Sequence, residues 1–325
     1  MLVYLIRRLG QSLFAIAAMA LLVFVGVYAI GNPVDILISP EASQIEMEEA
    51  TARLGLDKPL WTQFFLYIGN VLTGDLGKSF VFGQPAFSLI LQRLPATLEL
   101  AFVALAISVF VGVPLGMIAG LRPDTVSGRS IMAGSILGFS LPNFWQGMML
   151  ILFFAVILGW LPAGGRGATA SVFGVQLSIV TADGLAHLIL PAVNLALFKM
   201  SLVIRLARAA TREVVLQDYV KFARAKGLSE SRIVMVHILK TIMIPITTVL
   251  GLELASMIAF GIVTETVFAW PGMGKLLIDS IRLLDRPVIV AYLMLTVFII
   301  VMINFVVDVL YAVLDPRISL KDVTT

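Results

Sequence analysis

An all-α integral membrane protein with six transmembrane helices is the fold class this sequence predicts. Three observations predict it. Of 325 residues, 59% are hydrophobic and only 13% are charged, with a mean hydropathy of +1.01. Several apolar runs reach the roughly 18 residues needed to cross a hydrocarbon core. The longest polar segment, Asn32–Ala96, leaves no room for a soluble enzyme domain. Cysteine is absent, which excludes disulfides and thiolate metal sites. The two histidines, His187 and His237, lie too far apart in sequence to make a histidine-rich metal site alone. A net charge of +3 is too small to point to nucleic acid, and the basic balance fits positively charged cytoplasmic loops.

Span 1 runs over about Leu9–Ile30, behind Arg7 and Arg8. It is long for a signal-peptide core, and Gly31-Asn32-Pro33-Val34-Asp35 is a poor cleavage site, so it reads as a retained span. In the polar segment, Glu41–Arg53 reads as a surface helix and Trp61–Val71 as an amphipathic helix lying on the membrane. Span 2 covers about Thr97–Gly120, and span 3 about Ser130–Leu161, interrupted at Leu141-Pro142-Asn143. A Gly-rich loop, Pro162–Gly184, leads to span 4 at about His187–Leu206. A basic loop follows, then span 5 at about Thr241–Phe268, a turn at Ala269–Gly272 and span 6 at about Val288–Val313. The chain thus divides into 1–31 (N-terminus and first span), 32–96 (external loop), 97–313 (core, with the loop 207–240) and 314–325 (tail).

Six spans place both termini on one side. Arg7, Arg8, Arg122, Arg129, the nine Lys and Arg from Lys199 to Lys240, Arg317 and Lys321 lie on that side, fifteen of the 23. The positive-inside rule therefore puts both termini and the basic loop in the cytoplasm.

Gly77-Lys78-Ser79 ends like a phosphate loop, but the required glycine five residues earlier is Leu72, so it reads as a loop turn. Glu253 falls in mid-span with Ser256 three residues on, so the two share a helix face. They either line a polar pathway or bond structurally to a neighbouring helix. Asp308, on one face with Asn304, reads as structural. Glu99 opens span 2 and reads as a cap-like residue at the positive helix end. Pro114, Pro142, Pro245 and Gly251 interrupt spans and read as kinks or packing positions. No nucleophile–base pair, carboxylate pair or HExxH is present.

The basic loop centres on Asp218–Lys240, DYVKFARAKGLSESRIVMVHILK. Gly227 is suited to end one short helix with a positive φ, and Ser229 to cap the next. The outcome is an exposed corner, either an ordinary solvated loop or a lever gripped by a cytoplasmic partner.

The run from Tyr219 to Glu230, YVKFARAKGLSE, resembles the coupling segment of ABC-importer permeases of the dipeptide/oligopeptide/nickel group, B-type subunit. On the broader importer signature, EAA-x3-G-x9-I-x-L-P, Ala223, Gly227 and Leu239 match, while Lys221, Phe222, His237 and Lys240 depart. LGLDKPLWTQF at 54–64, RLPATLEL at 93–100, SLPNFWQGMML at 140–150 and TETVFAWPGMGKLL at 264–277 are also similar to that group. The resemblance covers nearly the whole chain. It implies the type I ABC-importer permease architecture in a bacterial inner membrane, and di- or oligopeptide uptake. Nickel chelates or another small solute are the alternative cargo, and a self-sufficient secondary transporter is the alternative class. It implies a homologous second permease, two ATPase subunits and an extracytoplasmic binding protein as partners. ATP and Mg would be bound by the ATPases and no cofactor by this chain. Contact with the ATPases falls to Tyr219, Ala223, Ala225, Lys226, Gly227, Leu228, Ser229 and Glu230, with Glu253 and Ser256 as pathway candidates.

Overall fold

The computed structural model describes residues 2–26, 41–54 and 57–314. The end of span 1 with Gly31–Asp35, and the tail with Arg317 and Lys321, lie outside the described residues. In chain order the helices are α1 (Leu2–Phe24), α2 (Gln44–Leu54), α3 (Leu60–Thr73), α4 (Ala86–Leu121), α5 (Val126–Ser140) and α6 (Asn143–Leu150). A π-helical stretch, Ile151–Ile157, extends α6. Strands β1 (Ala170–Val172) and β2 (Val175–Leu177) precede α7 (Ala182–Val215) and α8 (Asp218–Ala225). Next, α9 (Glu230–Arg232) winds through a π-helical Ile233–Ile238 into α10 (Leu239–Phe260). The chain closes with α11 (Ile262–Val267), α12 (Met273–Arg282) and α13 (Arg286–Leu314). Among the described residues five helices are long and apolar enough to cross a membrane, or six if a bent pair is one span.

Two compact units form. The first comprises residues 1–97 and 271–305. Here α2 starts with a reciprocal cap: Ser43 N donates to Glu46 Oε2 at 2.8 Å and Glu46 N to Ser43 Oγ at 3.3 Å. The Ser43 N–H and, at 3.0 Å, the Ser43 hydroxyl both donate to this carboxylate and hold it below its ordinary range. Amphipathic α3 forms as expected. It buries Gln63 and Tyr67 and sets Phe64 edge-on to Phe24 of α1, ring centres 5.2 Å apart. Trp61, Phe65 and Leu72 stay exposed. Gly77 turns the chain at φ +89°. Buried Ser79 donates its hydroxyl to Asp285, which also accepts Phe80 N at 3.1 Å. The Gly-Lys-Ser triplet is therefore the loop turn expected of it.

The second unit comprises residues 98–270 and 306–325. Its centre is a seam where α4 meets α7. Gly112, Gly116 and Gly120 recur every four residues, so they line one stripe of α4. Against them lie Val203, Ala207 and Thr211, at the same spacing on α7. Small residues let two backbones approach closely where lipid provides no hydrophobic drive. A Cβ on Gly116 would fall 2.6 Å from both Ala207 Cβ and Ile204 O. Pro114 lies within continuous α4, and Pro245 and Gly251 within continuous α10. Gly251 is a packing position, since a Cβ there would overlap Val307.

Of Pro114, Pro142, Pro245 and Gly251, Pro142 alone interrupts its helix, and the bend is large: α5 and the 143–157 helix meet at 105°, a bent pair rather than a straight crossing. Buried Gln146 seals the break by donating through Nε2 to Gly138 O (2.7 Å) and Leu141 O (2.9 Å). A bend in lipid requires such substitutes for lost ladder bonds. The Gly-rich loop departs from the all-helical expectation by forming an antiparallel hairpin. Phe173 (φ 50°) and Gly174 (φ 82°) make its turn, both left-handed as a two-residue hairpin requires.

Candidate functional site

The basic corner is built from both sides. Helix α8 ends in a Schellman motif: Leu228 N donates to Ala223 O at 3.3 Å and Gly227 N to Arg224 O at 2.9 Å. Gly227 sits at φ +74°, as its sequence position required. Ser229 occupies the N-cap position of α9, but its side chain makes no capping bond. In its place an ion pair closes the corner, with Arg224 Nε 2.7 Å and Nη2 3.2 Å from the two Glu230 oxygens. The bidentate carboxylate raises the Arg224 pKa further above its ordinary value.

The corner has two unlike faces. Val220 and Ala223 face inward and join Val214, Ile233, Ile238 and Ile242 in a buried cluster. Tyr219 and Phe222, three residues apart, face outward with 43% and 60% of their surfaces exposed. Lys226 Nζ lies 4.5 Å from the Phe222 ring centre. Ala225, Lys226, Gly227, Ser229 and Glu230 are exposed and Leu228 is half-buried. Seven of the eight residues expected to meet the ATPases therefore line the outer side of the corner as a ledge, while Ala223 is buried in the inner cluster.

Within the membrane body, Glu253 and Ser256 do share a face, and both meet Lys199 of α7. Lys199 Nζ stands 2.6 Å from Glu253 Oε2 and donates to Ser256 Oγ at 2.6 Å. Lys199 is thus a mid-helix residue and not part of the basic loop. Its signal was in the sequence, a lone lysine in the apolar run LILPAVNLALFKMSLVI.

Glu99 is no cap. Helix α4 begins thirteen residues earlier at Ala86, because hydropathy marks where a helix enters lipid and not where it starts. The buried Glu99 carboxylate instead clamps the hairpin loop. It accepts Arg166 Nη2 at 2.8 Å and the backbone N–H of Ser178 and Ile179, each at 2.7 Å. Arg166 lies 5.8 Å from the ring centre of fully buried Trp270. A second polar knot joins α6, α7 and α11. Asn194 Nδ2 donates to Asn143 Oδ1 (2.7 Å) and Thr264 Oγ1 (3.1 Å), and Asn143 Nδ2 also reaches Thr264 Oγ1 at 3.1 Å.

These features are those of a multi-span membrane protein with an exposed ledge between two of its long helices. Residues 112–320 match the family described as "binding-protein-dependent transport system inner membrane component", and residues 1–101 match its N-terminal companion. The chain belongs to this family of inner-membrane ABC-importer permeases. It is a multi-pass permease subunit of the peptide-group B type, not itself catalytic and carrying no cofactor. Membership implies ATPase and binding-protein partners, with ATP held by the ATPases.

The di/tripeptide transport system permease of Pseudomonas aeruginosa (strain UCBPP-PA14) is 38% identical over 332 residues, covering 98% of this chain and 99% of its own. The oligopeptide transport system permease of Bacillus subtilis (strain 168) is 37% identical over 318 residues, covering 97% and 99%. The glutathione transport system permease of Escherichia coli (strain K12) is 38% identical over 322 residues, covering 99% and 100%. In fold, the chain is similar to an inward-facing methionine ABC transporter, MetNI. The TM-score is 0.56 at 18% identity, covering 71% of this chain and 98% of that one.

Proposed function

We propose that this chain is the first permease of a di- or oligopeptide importer. A homologous second permease completes the pathway, and two ATPase subunits seat on the ledges of the two permeases. Both termini and the 207–240 loop face the cytoplasm, while the 32–96 segment faces the binding protein. The three similar permeases described above are named for di/tripeptide, oligopeptide and glutathione transport, which supports a peptide cargo.

The observation that carries the coupling role is the two-faced corner. Its inner face is fused to the buried cluster, so a push on Tyr219 and Phe222 is delivered to α7 and α10 rather than absorbed. Closure of ATP-bound partners then biases the pathway between two states through a remote site.

Cysteine cross-linking tests this in a chain that has none of its own. Lys226→Cys and Ser229→Cys avoid the left-handed Gly227. ATP-dependent capture of an ATPase subunit is expected. Peptide uptake with no ATPase present would overturn the reading in favour of a secondary transporter.

A further inference from the structure

The charged cluster Lys199–Glu253–Ser256 stands in the apolar body of the molecule, on the long helices α7 and α10. Ionic side chains inside a membrane are costly and need an occupation. The side chains of Lys199 and Glu253 keep 12% and 16% of their surface, so they are enclosed but not sealed. Lys199 Nζ also lies 5.3 Å from the Phe198 ring centre, and Phe198 stacks on Phe139 at 5.7 Å, giving the cluster an aromatic wall.

We propose that this pair is a substrate latch for solutes carrying both a free ammonium and a free carboxylate, as short peptides do. The assignment rests on the peptide reading above. In the resting state each charge neutralises the other. A zwitterion entering the site replaces both halves at once: its carboxylate takes Lys199 and its ammonium takes Glu253. Net charge in the low-dielectric body is zero before and after, so the exchange avoids an isolated buried charge at either end. The termini of a dipeptide stand roughly 6 Å apart, a span that the long Lys and Glu side chains can bracket by swinging apart. Ser256 Oγ, which already accepts from Lys199, holds the lysine in place as Glu253 leaves. The aromatic wall offers apolar surface to a peptide side chain.

A purely structural ion pair predicts different behaviour. Replacing both members of a buried pair by apolar residues is commonly neutral or stabilising. The decisive variant is therefore the double substitution Lys199→Met/Glu253→Leu in the assembled transporter, reconstituted with its partners in liposomes. The latch predicts wild-type thermal stability, with uptake of a zwitterionic dipeptide reduced at least tenfold. Uptake within twofold of wild type would overturn it.

A second measurement stands independently of the double variant's folding. Ser256→Cys is labelled by a small methanethiosulfonate, with and without saturating dipeptide. Protection by the dipeptide, but not by its N-acetyl amide, is expected. Equal labelling under all three conditions, or no labelling at all, refutes the latch. If the wild-type transporter takes up no dipeptide, the peptide assignment itself has failed, which is a separate result from loss of uptake in the variant alone.

Discussion

The glycine seam gives the sharpest quantitative test. Gly116→Ala adds a single methyl. Its Cβ falls 2.6 Å from Ala207 Cβ and 2.6 Å from the Ile204 carbonyl oxygen. The oxygen is backbone and cannot rotate away, so α4 and α7 must part by about 1 Å to restore ordinary contact, and a gap of that size forfeits up to half of each neighbouring contact well. Gly112 and Gly120 sit one turn to either side and share the loss. Overpacking of this kind costs about 1–3 kcal/mol. Gly134→Ala is the matched control. It lies inside α5, and a Cβ there meets nothing within 4 Å. It gains only the roughly 0.5–1 kcal/mol that Ala has over Gly in a helix, a gain that Gly116→Ala shares. The difference between the two variants isolates the seam. At about 2–4 °C per kcal/mol, their thermal midpoints in detergent should differ by roughly 2–12 °C, Gly116→Ala lower. If Gly116→Ala melts with or above Gly134→Ala, the close approach of α4 and α7 is refuted.

Gly227→Pro should leave the protein inserted but uncouple ATP hydrolysis from uptake, because Pro imposes a φ near −65° where the chain needs +74° and removes the donor to Arg224 O. Normal uptake at normal expression would refute it, and Gly227→Ala should show a milder loss from a left-handed cost of about 1–2 kcal/mol. Glu99→Gln leaves Arg166 without its buried counter-charge, a loss of about 3–5 kcal/mol, and should expose the 162–184 loop to tryptic cleavage after Arg166. Unchanged cleavage would show that the clamp holds nothing. Thr264→Val removes the acceptor of one buried amide, Asn194, and one half-buried amide, Asn143, and should lower the thermal midpoint by the equivalent of about 1–3 kcal/mol, whereas Thr264→Ser should not. At the start of α2, the lowered Glu46 pKa stabilises the cap above the ordinary carboxyl value of 4.5, and that contribution fades as pH falls through the folded value. A nitroxide label at Gln44 should therefore be constant in mobility from pH 8 to 5 and gain mobility only in more acidic buffer.

Much of the site was legible in the residues. The corner at Gly227 follows from one glycine between two short amphipathic runs, and its left-handed φ and Schellman bonds are local consequences. The mid-span carboxylate Glu253 stands out in any hydropathy reading, and its shared face with Ser256 is helix arithmetic. Glu99 departs from its sequence pattern for an equally local reason. The transition from polar to apolar at Thr97 looks like a helix start, yet the helix already runs through the polar residues from Ala86, and Pro95 does not stop it. Ser229 has the residue type and the position of a cap, but the Arg224–Glu230 pair closes the corner in place of a capping bond.

By itself the sequence determined the membrane class, most of the span positions, the break at Pro142, the corner and the family. Each depends on residues adjacent along the chain, where hydropathy, glycine freedom and proline geometry act over a turn or two. Only the tertiary structure decided the partners: Lys199 for Glu253, Arg166 for Glu99, Asp285 for Ser79, and Val203, Ala207 and Thr211 for the three glycines of α4. A buried polar position announces that it needs a neighbour, because leaving it unmatched in an apolar interior costs several kcal/mol, and a glycine stripe announces a close approach of another helix. Which neighbour meets it depends on which helices pack together, and that choice is written in no single stretch of the chain.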